Sequence, residues 1–418
     1  MLSTIEYKHG DNIYYTRANF KNLYFINGKF EYFSFDKDII LEKIMISKNE
    51  FLDITVKYFE NINEIKKYLL NKNIEVISDV TTYCSHFYDW NVAHGLYDTL
   101  YPIYLLYLHF FNNDADFNIF LKLKYITGWR FPGVASRDWV LNIFKKFSGG
   151  DLITDLKKNY KFDNIIIGHG LSGISNVIKY GVMPGKEFYA LEKFRDRMYN
   201  KYEININSNK NNVIIINSNR YSNDEMSELL KVQKYFLDNS YNCFFVNWAK
   251  IISFEKQLEI MKDVYIHISG AGSSMLNFPF LRNNAIHINM GVNKIDGCKI
   301  PGLLEVNCCL LSNNIKFLYY DIFKHKEIKY GPCVKLFEEF ILTKKEQDIP
   351  KYIKIWNEFC LKDKENMDKI LLRMNAIEEP HLMGYRHPEI LVNEEYPYNK
   401  KSNYINNTLL NIIKEKYE

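Results

Sequence analysis

The strongest candidate for ligand binding in this chain is a glycine turn after a short apolar strand. Residues 264–268 alternate in the manner of a buried β-strand, and the chain then continues as Ser269-Gly270-Ala271-Gly272-Ser273-Ser274 before apolar residues return at helical spacing. Glycines let backbone approach a ligand closely, and the first amides of a helix offer unpaired donors at the positive end of its dipole. The turn is therefore a candidate diphosphate site. The pattern alone is weakly specific, because small residues also serve only to pack a helix tightly on its sheet.

Arg220 is a second candidate for binding an anion, because it follows the predicted strand 213–217. Its planar guanidinium is permanently charged and can donate to two phosphate oxygens at once. It could neutralise negative charge that grows on a diphosphate leaving group. The alternative is a surface arginine near a helix N-cap at Ser222.

A possible general base lies at the start of the predicted helix 92–111. His94 and Asp98 are four residues apart and so share one face of that helix. A carboxylate beside an imidazole can accept a proton from an attacking hydroxyl, or can orient the histidine that does so. The alternative is a capped helix start with a polar pair. His169, in the strand-end run Ile167-Gly168-His169-Gly170, is a candidate acceptor contact or simply part of a loop.

The elements around these residues predict an α/β fold. Asn27-Gly28 between two aromatic-rich runs within residues 12–35 is typical of a β-hairpin with a type I′ turn, with which the chain opens. In the same half we expect strands at 75–77, 117–123 and 163–167 and helices at 92–111 and 136–147. Alternation of strands with helices favours a parallel sheet covered on both faces.

The Asn-rich run 205–212 is the clearest linker candidate. It separates an N-terminal domain, residues 1–204, from a second domain, residues 213–343, and a helical segment follows at 344–418. The second domain is predicted to hold strands at 213–217, 242–247, 264–268 and 285–289 and helices at 222–238 and 253–261. The turn 269–274 and Arg220 would then both follow strand ends of one doubly wound sheet.

The order of these motifs resembles glycosyltransferase family 61. The C-terminal half carries the resemblance through Gln257 before the strand, the glycine turn, Asn277-Phe278-Pro279 and the strand at 285–289. Ser269 stands where the family has histidine, and His287 stands where it has glutamate. The family also has an arginine at the end of the strand before, and a second arginine a few residues on that this chain lacks.

The N-terminal half adds an Asn-x-x-His motif with an aspartate after it, which Asn91, His94 and Asp98 match. The resemblance implies a GT-B architecture, with two Rossmann-like domains facing a cleft, an N-terminal β-hairpin and C-terminal helices that pack back across the domains. It implies inverting transfer of a hexose or pentose from a nucleotide sugar, with a UDP-sugar expected, to a hydroxyl of a glycan or glycoprotein acceptor.

The resemblance also implies roles for single residues. Asp98, or His94 with Asp98 behind it, would be the base, and Asn91 would contact the acceptor. Arg220 and the turn 269–274 would bind the donor's diphosphate, and His287 would contact its ribose. Histidine at 267 is a candidate to replace the family's missing histidine, with a purely structural role as the alternative.

We expect no cofactor and no metal, because no Asp-x-Asp stands in a metal-binding setting and a helix terminus with an arginine can replace a cation. Transfer should then survive a chelator. Two other functions stay open: an inactive relative that binds glycan or nucleotide, and another two-Rossmann sugar enzyme such as a pyruvyl transferase or an epimerase.

Composition limits the remaining classes. The 418 residues are 47% hydrophobic with a net charge of +4 and no basic stripe, which argues against nucleic acid. Seven cysteines without a Cys-x-x-Cys pair, and an amino terminus without an apolar leader, favour a cytoplasmic protein. The apolar run 96–111 is too short and too interrupted for a membrane span. Abundant Asn, Ile, Lys and Tyr are typical of AT-rich genomes such as those of large DNA viruses, in which case the compartment is the host cytoplasm.

Overall fold

The computed structural model describes residues 1–9, 16–47, 50–86, 92–111, 113–123, 137–168, 191–206, 211–218, 221–251, 253–270, 275–289 and 315–319. The chain divides into two compact units, residues 1–202 and 203–418. Each unit has its own sheet with helices, so the expected α/β class is confirmed. The Asn-rich run that predicts a linker begins just after this division. The segment 344–418, predicted to be helical, lies outside the described residues.

The strands of the first unit are β1 (Thr4–Lys8), β2 (Arg17–Ile26), β3 (Lys29–Ser34), β4 (Met45–Ser47), β5 (Glu50–Phe51), β6 (Ile54–Tyr58), β7 (Ile74–Ile77), β8 (Thr81–His86), β9 (Phe117–Leu123), β10 (Gly149–Ile153) and β11 (Asn159–Ile167). Its helices are α1 (Ile62–Leu69), α2, α3 (Arg137–Ser148) and α4 (Leu191–Lys201). We treat α2 as one continuous helix made of Val92–His94, a π-helical turn at Gly95–Leu100, and Tyr101–Phe110.

The main sheet of the first unit is mixed. The order β10-β9-β8-β11 is parallel, and β7 also pairs with β11 in parallel. The neighbouring part is antiparallel, because β2 pairs with β11, β3 and β1 in the opposite direction. The expected parallel sheet is therefore correct for one part of this unit only. The reason is that the N-terminal hairpin joins the main sheet itself, so its strands run both ways.

The predicted hairpin is confirmed as β2 and β3. Its two turn residues, Asn27 and Gly28, have φ of 50° and 81°, the left-handed values that a type I′ turn needs at both positions. The first pairs beyond the turn place Phe25 opposite Phe30, with ring centroids 5.1 Å apart. The turn and this cross-strand pair set the register of the hairpin.

The predicted long helix 92–111 is confirmed as α2, and its C-terminal half is buried on all sides. Residues 101–107 are all buried, as expected for a helix that is apolar all round. The ring of Phe194 on α4 lies 5.4 Å from that of Tyr101 and 4.6 Å from that of Phe147 on α3. Helix α2 is therefore held rigidly between the sheet and two other helices. No helix in the described part of the chain is long and apolar enough to cross a membrane.

A buried arginine ties α4 to the edge of this sheet. Arg197 is 2% exposed, and its guanidinium lies 5.3 Å from the ring centroids of Phe117 and Phe147. Its hydrogen bonds go to the carbonyl oxygens of Phe147, Ser148 and Asp114 and to the carboxylates of Asp114 and Asp116. The charge is thus paired and every N–H group has an acceptor, which is the condition for burying a guanidinium.

The second unit has the strands β12 (Asn212–Ile216), β13 (Asn242–Val246), β14 (Val264–Ser269), β15 (Ile286–Asn289) and β16 (Lys316–Tyr319). Its helices are α5 (Asn223–Asp238) and α6 (Phe254–Met261), with 3₁₀ helices at Trp248–Lys250 and Met275–Phe280. The strands run parallel in the order β13-β12-β14-β15-β16. This order, second-first-third-fourth-fifth along the chain, is typical of doubly wound folds.

Helices cover both faces of this second sheet. On one face, Leu229, Val232 and Phe236 of α5 pack in one apolar cluster with alternate residues of the strands. On the other face, α6 contacts the 3₁₀ helix at 275–280, with the rings of Phe254 and Phe280 5.6 Å apart. The four strands and two helices expected between residues 213 and 289 are confirmed. Strand β16 was not anticipated.

The predicted helix after the glycine turn is wrong in kind. The chain forms a six-residue 3₁₀ helix there, and Pro279 lies inside it. Proline has no N–H to donate, and 3₁₀ segments have poorer hydrogen-bond geometry and stay short. The turn therefore has no α-helix macrodipole behind it, and an anion would depend on individual N–H groups and side-chain charges.

Candidate functional site

The candidate site in the second unit lies where the strand order reverses. From β12 the chain goes to β13 on one side, and it then returns to add β14 on the other side of β12. The carboxyl ends of β12 and β14 are therefore neighbours, and the loops that follow them diverge to opposite faces. Such a switch point is where open α/β sheets bind their ligands. The loop after β12 contains Arg220 and the loop after β14 begins the turn 269–274, so the topology brings together the two segments predicted to bind diphosphate.

A hydrogen bond joins these two loops directly. The N–H of Gly270 donates to the hydroxyl of Tyr221 at 3.0 Å, and the N–H of Tyr221 donates to the carbonyl of Ser218 at 3.1 Å. Several predicted site residues lie outside the described residues, namely Arg220, Ala271, Gly272, Ser273, Ser274, Asn91 and His169. Their described neighbours Tyr221 and Gly270 are in contact, which places the ends of both segments at one edge of the sheet.

The amino terminus of α5 at the same edge does not offer an anion site. Ser222 accepts a hydrogen bond from the N–H of Glu225, and the Glu225 carboxylate accepts one from the N–H of Ser222. This capping box uses the donors that an anion would need and adds a negative charge. Binding of a diphosphate at the switch point would therefore depend on the loop after β14 and on Arg220.

Ser269 is the last residue of β14 and is fully buried. Its hydroxyl has no hydrogen-bond partner in the structure as described, so it is a polar group still to be satisfied at the entrance to the glycine turn. Along the strand it shares a side with His267, away from the apolar cluster under α5. The position is consistent with its predicted role in holding a ligand.

His267 and His287 form a buried pair. They are register partners on β14 and β15, both fully buried, with Nδ1 atoms 2.7 Å apart. The ring of Phe278 stacks on His287 at 4.5 Å. Burial lowers the pKa of His267 to about 3, and burial together with the neighbouring imidazole lowers the pKa of His287 as well. Both rings are therefore neutral, one donating from Nδ1 and the other accepting.

This geometry favours the structural alternative for both histidines. A ribose could reach His287 only if Phe278 and the strand end moved away from the ring. The predicted contact with the donor, and the replacement of the family's missing histidine by His267, therefore gain no support. The sequence shows the two histidines twenty residues apart and carries no signal that they pair, because their contact depends on the register of two strands.

In the first unit, His94 and Asp98 form the expected polar pair. Asp98 Oδ2 lies 2.6 Å from His94 Nδ1, and the side chains are 14% and 28% exposed. The short distance confirms that the two residues share one helix face. Partial exposure leaves a route by which a hydroxyl could approach, which a fully buried pair would lack.

The helix supports this pair in two ways. Its π-helical turn, in which the N–H of Tyr101 donates to the carbonyl of Leu96, runs through Asp98, and such turns are common at functional sites. Leu96 and Leu100 are buried on the opposite side, which fixes the rotation of the helix. With a proton on Nδ1 donated to the carboxylate, Nε2 of His94 becomes the nitrogen able to accept a proton.

Two residues gain roles that the sequence did not indicate. Tyr221 was taken only as part of a helix start, yet its hydroxyl bonds the glycine turn. Gln257, one of the residues that carry the family resemblance, donates to the carbonyl of Ile251 at 2.7 Å and accepts from Asn277 at 3.3 Å. It is 5% exposed, so its contacts tie α6 to the 3₁₀ helix.

Within the described ranges, no group of three or more His, Cys, Asp or Glu side chains is arranged to hold a metal ion. Comparison of the sequence with protein-family models gives no match. Comparison with curated proteins gives none either.

Proposed function

We propose that this protein is an inverting glycosyltransferase, similar to glycosyltransferase family 61, that moves a sugar from a nucleotide sugar to a hydroxyl of a glycan or protein. The observation that carries the proposal is the contact between the loops after β12 and β14 at the switch point of a parallel sheet. Doubly wound sheets bind nucleotides at this position. The two loops contain the residues whose chemistry suits a diphosphate.

On the donor side, Arg220 and the backbone amides of residues 270–274 bind the diphosphate. They stabilise the leaving group as its bond to the sugar lengthens, because that is where negative charge develops. Ser269 offers a hydroxyl at the same edge. An arginine and amides supply the positive charge, so the proposal includes no divalent cation and no cofactor. A UDP-sugar is the donor we expect.

On the acceptor side, Asp98 and His94 act as the base. The acceptor oxygen attacks the anomeric carbon opposite the diphosphate, its proton passes to the His94–Asp98 pair, and the bond between the anomeric carbon and the diphosphate oxygen breaks. The products are the glycoside with inverted configuration and a nucleoside diphosphate. The positive charge that develops on the sugar ring makes one base and good stabilisation of the leaving group sufficient.

The proposal also makes a demand on architecture. Donor and acceptor groups lie on different units, so the two units must face each other across a cleft, as in GT-B enzymes. This finer arrangement is part of the proposal, while the α/β class of each unit rests on its own strands and helices.

The experiment is a thermal-shift screen with a panel of nucleotide sugars, followed by a transfer assay with the best ligand. A ligand that binds only the native state raises the melting temperature. We expect one nucleotide family, with UDP-sugars foremost, to raise it, and we expect release of the nucleoside diphosphate when an acceptor is present. Binding without release under any acceptor would indicate an inactive relative. A panel in which nothing binds would contradict the proposal.

A further inference from the structure

Tyr221 connects the two loops of the proposed donor site. Its hydroxyl accepts the N–H of Gly270 at 3.0 Å, and this bond spans from the end of β12 to the end of β14. Gly270 is the first glycine of the turn, immediately after Ser269 at the end of the strand. The bond therefore acts at the point where the chain changes from a fixed strand to a glycine-rich segment.

The tyrosine is itself held from several sides. Its ring packs partly buried against the apolar cluster formed by α5 and the strands. Its backbone N–H donates to Ser218, and the next residue, Ser222, is fixed by the capping box with Glu225. The phenol oxygen is thus placed by packing and by the backbone on both sides of the residue, and it can serve as a fixed point for a more adaptable partner.

The partner needs such a fixed point. Glycine has more backbone freedom than any other residue, so a turn with two glycines loses much entropy when it orders around a ligand. No α-helix follows to align the amides, because the next element is the 3₁₀ helix at 275–280. A hydrogen bond that orients the first glycine peptide before ligand arrives would reduce the ordering that binding requires.

We propose that Tyr221 is a positioning residue that holds the Gly270 peptide and so aligns the amides of the glycine turn for the donor's diphosphate. The identity of the ligand rests on the proposed function, whereas the hold on Gly270 rests on the geometry alone. In this role the hydroxyl acts through the turn and need not touch the nucleotide. It also couples the two loops, so that Arg220, next to Tyr221, and the turn keep their relative position.

The first test measures hydrogen exchange in the full-length chain. Tyr221→Phe removes the acceptor and keeps the ring, so amides in a peptide spanning residues 264–274 should exchange faster while α5 is unchanged. Tyr235→Phe is the matched control, because Tyr235 packs partly buried against the same cluster. Equal exchange in Tyr221→Phe and wild type would overturn the proposed hold on Gly270.

The second test measures the affinity for UDP by calorimetry. Loss of one neutral hydrogen bond corresponds to about fivefold, so Tyr221→Phe should bind UDP about fivefold more weakly, with a melting temperature close to wild type. Unchanged or tighter binding would overturn the positioning role, since tighter binding would mean that the phenol competes with ligand for the amide. Failure of wild-type protein to bind UDP would count against the proposed function, and the exchange experiment would still decide whether Tyr221 holds Gly270.

Discussion

At the scale of single residues, the His94–Asp98 pair is the part of the candidate chemistry with the most complete geometry. The two side chains are 2.6 Å apart and partly exposed, on a helix whose other faces are buried. A carboxylate in this position fixes the imidazole's orientation and stabilises the positive charge formed when the ring accepts a proton. The pair should therefore matter for turnover far more than for folding.

Asp98→Asn tests this expectation. The amide keeps the size and can still accept a hydrogen bond from His94, but it removes the negative charge. We expect the transfer rate to fall by about 10²–10⁴-fold, the usual contribution of a general base, with UDP affinity unchanged. Asp238→Asn, at an exposed ion pair with Lys234, is the control and should leave the rate unchanged. A rate for Asp98→Asn equal to wild type would remove Asp98 from the mechanism.

Arg197 makes the opposite kind of prediction, because it supports folding and not chemistry. Replacing it with methionine leaves the Asp114 and Asp116 carboxylates without their buried partner. Loss of one member of a buried ion pair costs about 3–5 kcal/mol, and we expect the free energy of unfolding to fall by that amount in urea. Lys193→Met, on the exposed side of the same helix, should change it by less than about 0.5 kcal/mol. Similar values for both variants would show that the buried pairing contributes little.

At the scale of elements, the N-terminal hairpin shows how directly local sequence can determine structure. Gly28 has φ of 81°, and a Cβ added there would meet nothing within 4 Å. Any cost of a side chain at this position is therefore a backbone cost, free of steric clashes. The case differs from Gly149, where an added Cβ would lie 2.3 Å from an oxygen of Asp116.

Gly28→Ala should lower the free energy of unfolding by about 1 kcal/mol, because an L-residue resists the left-handed region. Asn27→Gly is the paired control, since glycine tolerates the same φ and the backbone N–H of residue 27 still donates to Asn159. We expect the control to be nearly neutral in the same urea titration. A loss in Gly28→Ala no larger than in the control would mean that the turn conformation does not limit stability.

Elements that depend on local pattern could be predicted from the sequence, and those that depend on distant partners could not. The hairpin, the helix 92–111 and the strands and helices between residues 213 and 289 follow from turn residues, caps and periodicity. The joining of β2 to β11 in the antiparallel sense, the buried histidine pair and the bond from Gly270 to Tyr221 depend on which strands are neighbours. Apolar spacing after the glycine turn predicted an α-helix, but Pro279 limits that segment to a 3₁₀ helix.

At the scale of the whole molecule, the histidine pair makes stability depend on pH. Burial first, and for His287 also the neighbouring imidazole, hold the pKa values of His267 and His287 below the ordinary value near 6.5, with that of His267 at about 3. In the unfolded chain both rings take up protons below about pH 6.5, and in the folded chain they do not. Stability from these neutral rings is therefore fully present above about pH 6.5 and is lost as pH falls toward 3.

The expected loss between about pH 6.5 and about pH 5 approaches 1.4 kcal/mol per pH unit for each histidine. Urea unfolding of the wild-type chain and of the double variant His267→Asn with His287→Asn measures it, because asparagine does not titrate. We expect a shallower slope in the double variant. His9→Asn, at a histidine whose side chain is 58% exposed, should keep the wild-type slope. Equal slopes in all three proteins would contradict the assignment of acid sensitivity to the buried pair.

The account of function as a whole depends on whether the second unit binds a nucleoside diphosphate at its switch point. Calorimetric titration of UDP into wild-type protein and Arg220→Ala measures this most directly, with Lys234→Ala on the exposed side of α5 as a control for the lost charge. Truncation of a charged hydrogen-bonding partner corresponds to at least about thirtyfold in affinity. We predict that wild type and Lys234→Ala bind UDP alike and that Arg220→Ala binds at least about thirtyfold more weakly. Equal affinity in all three proteins, or no binding to wild type, would contradict the account.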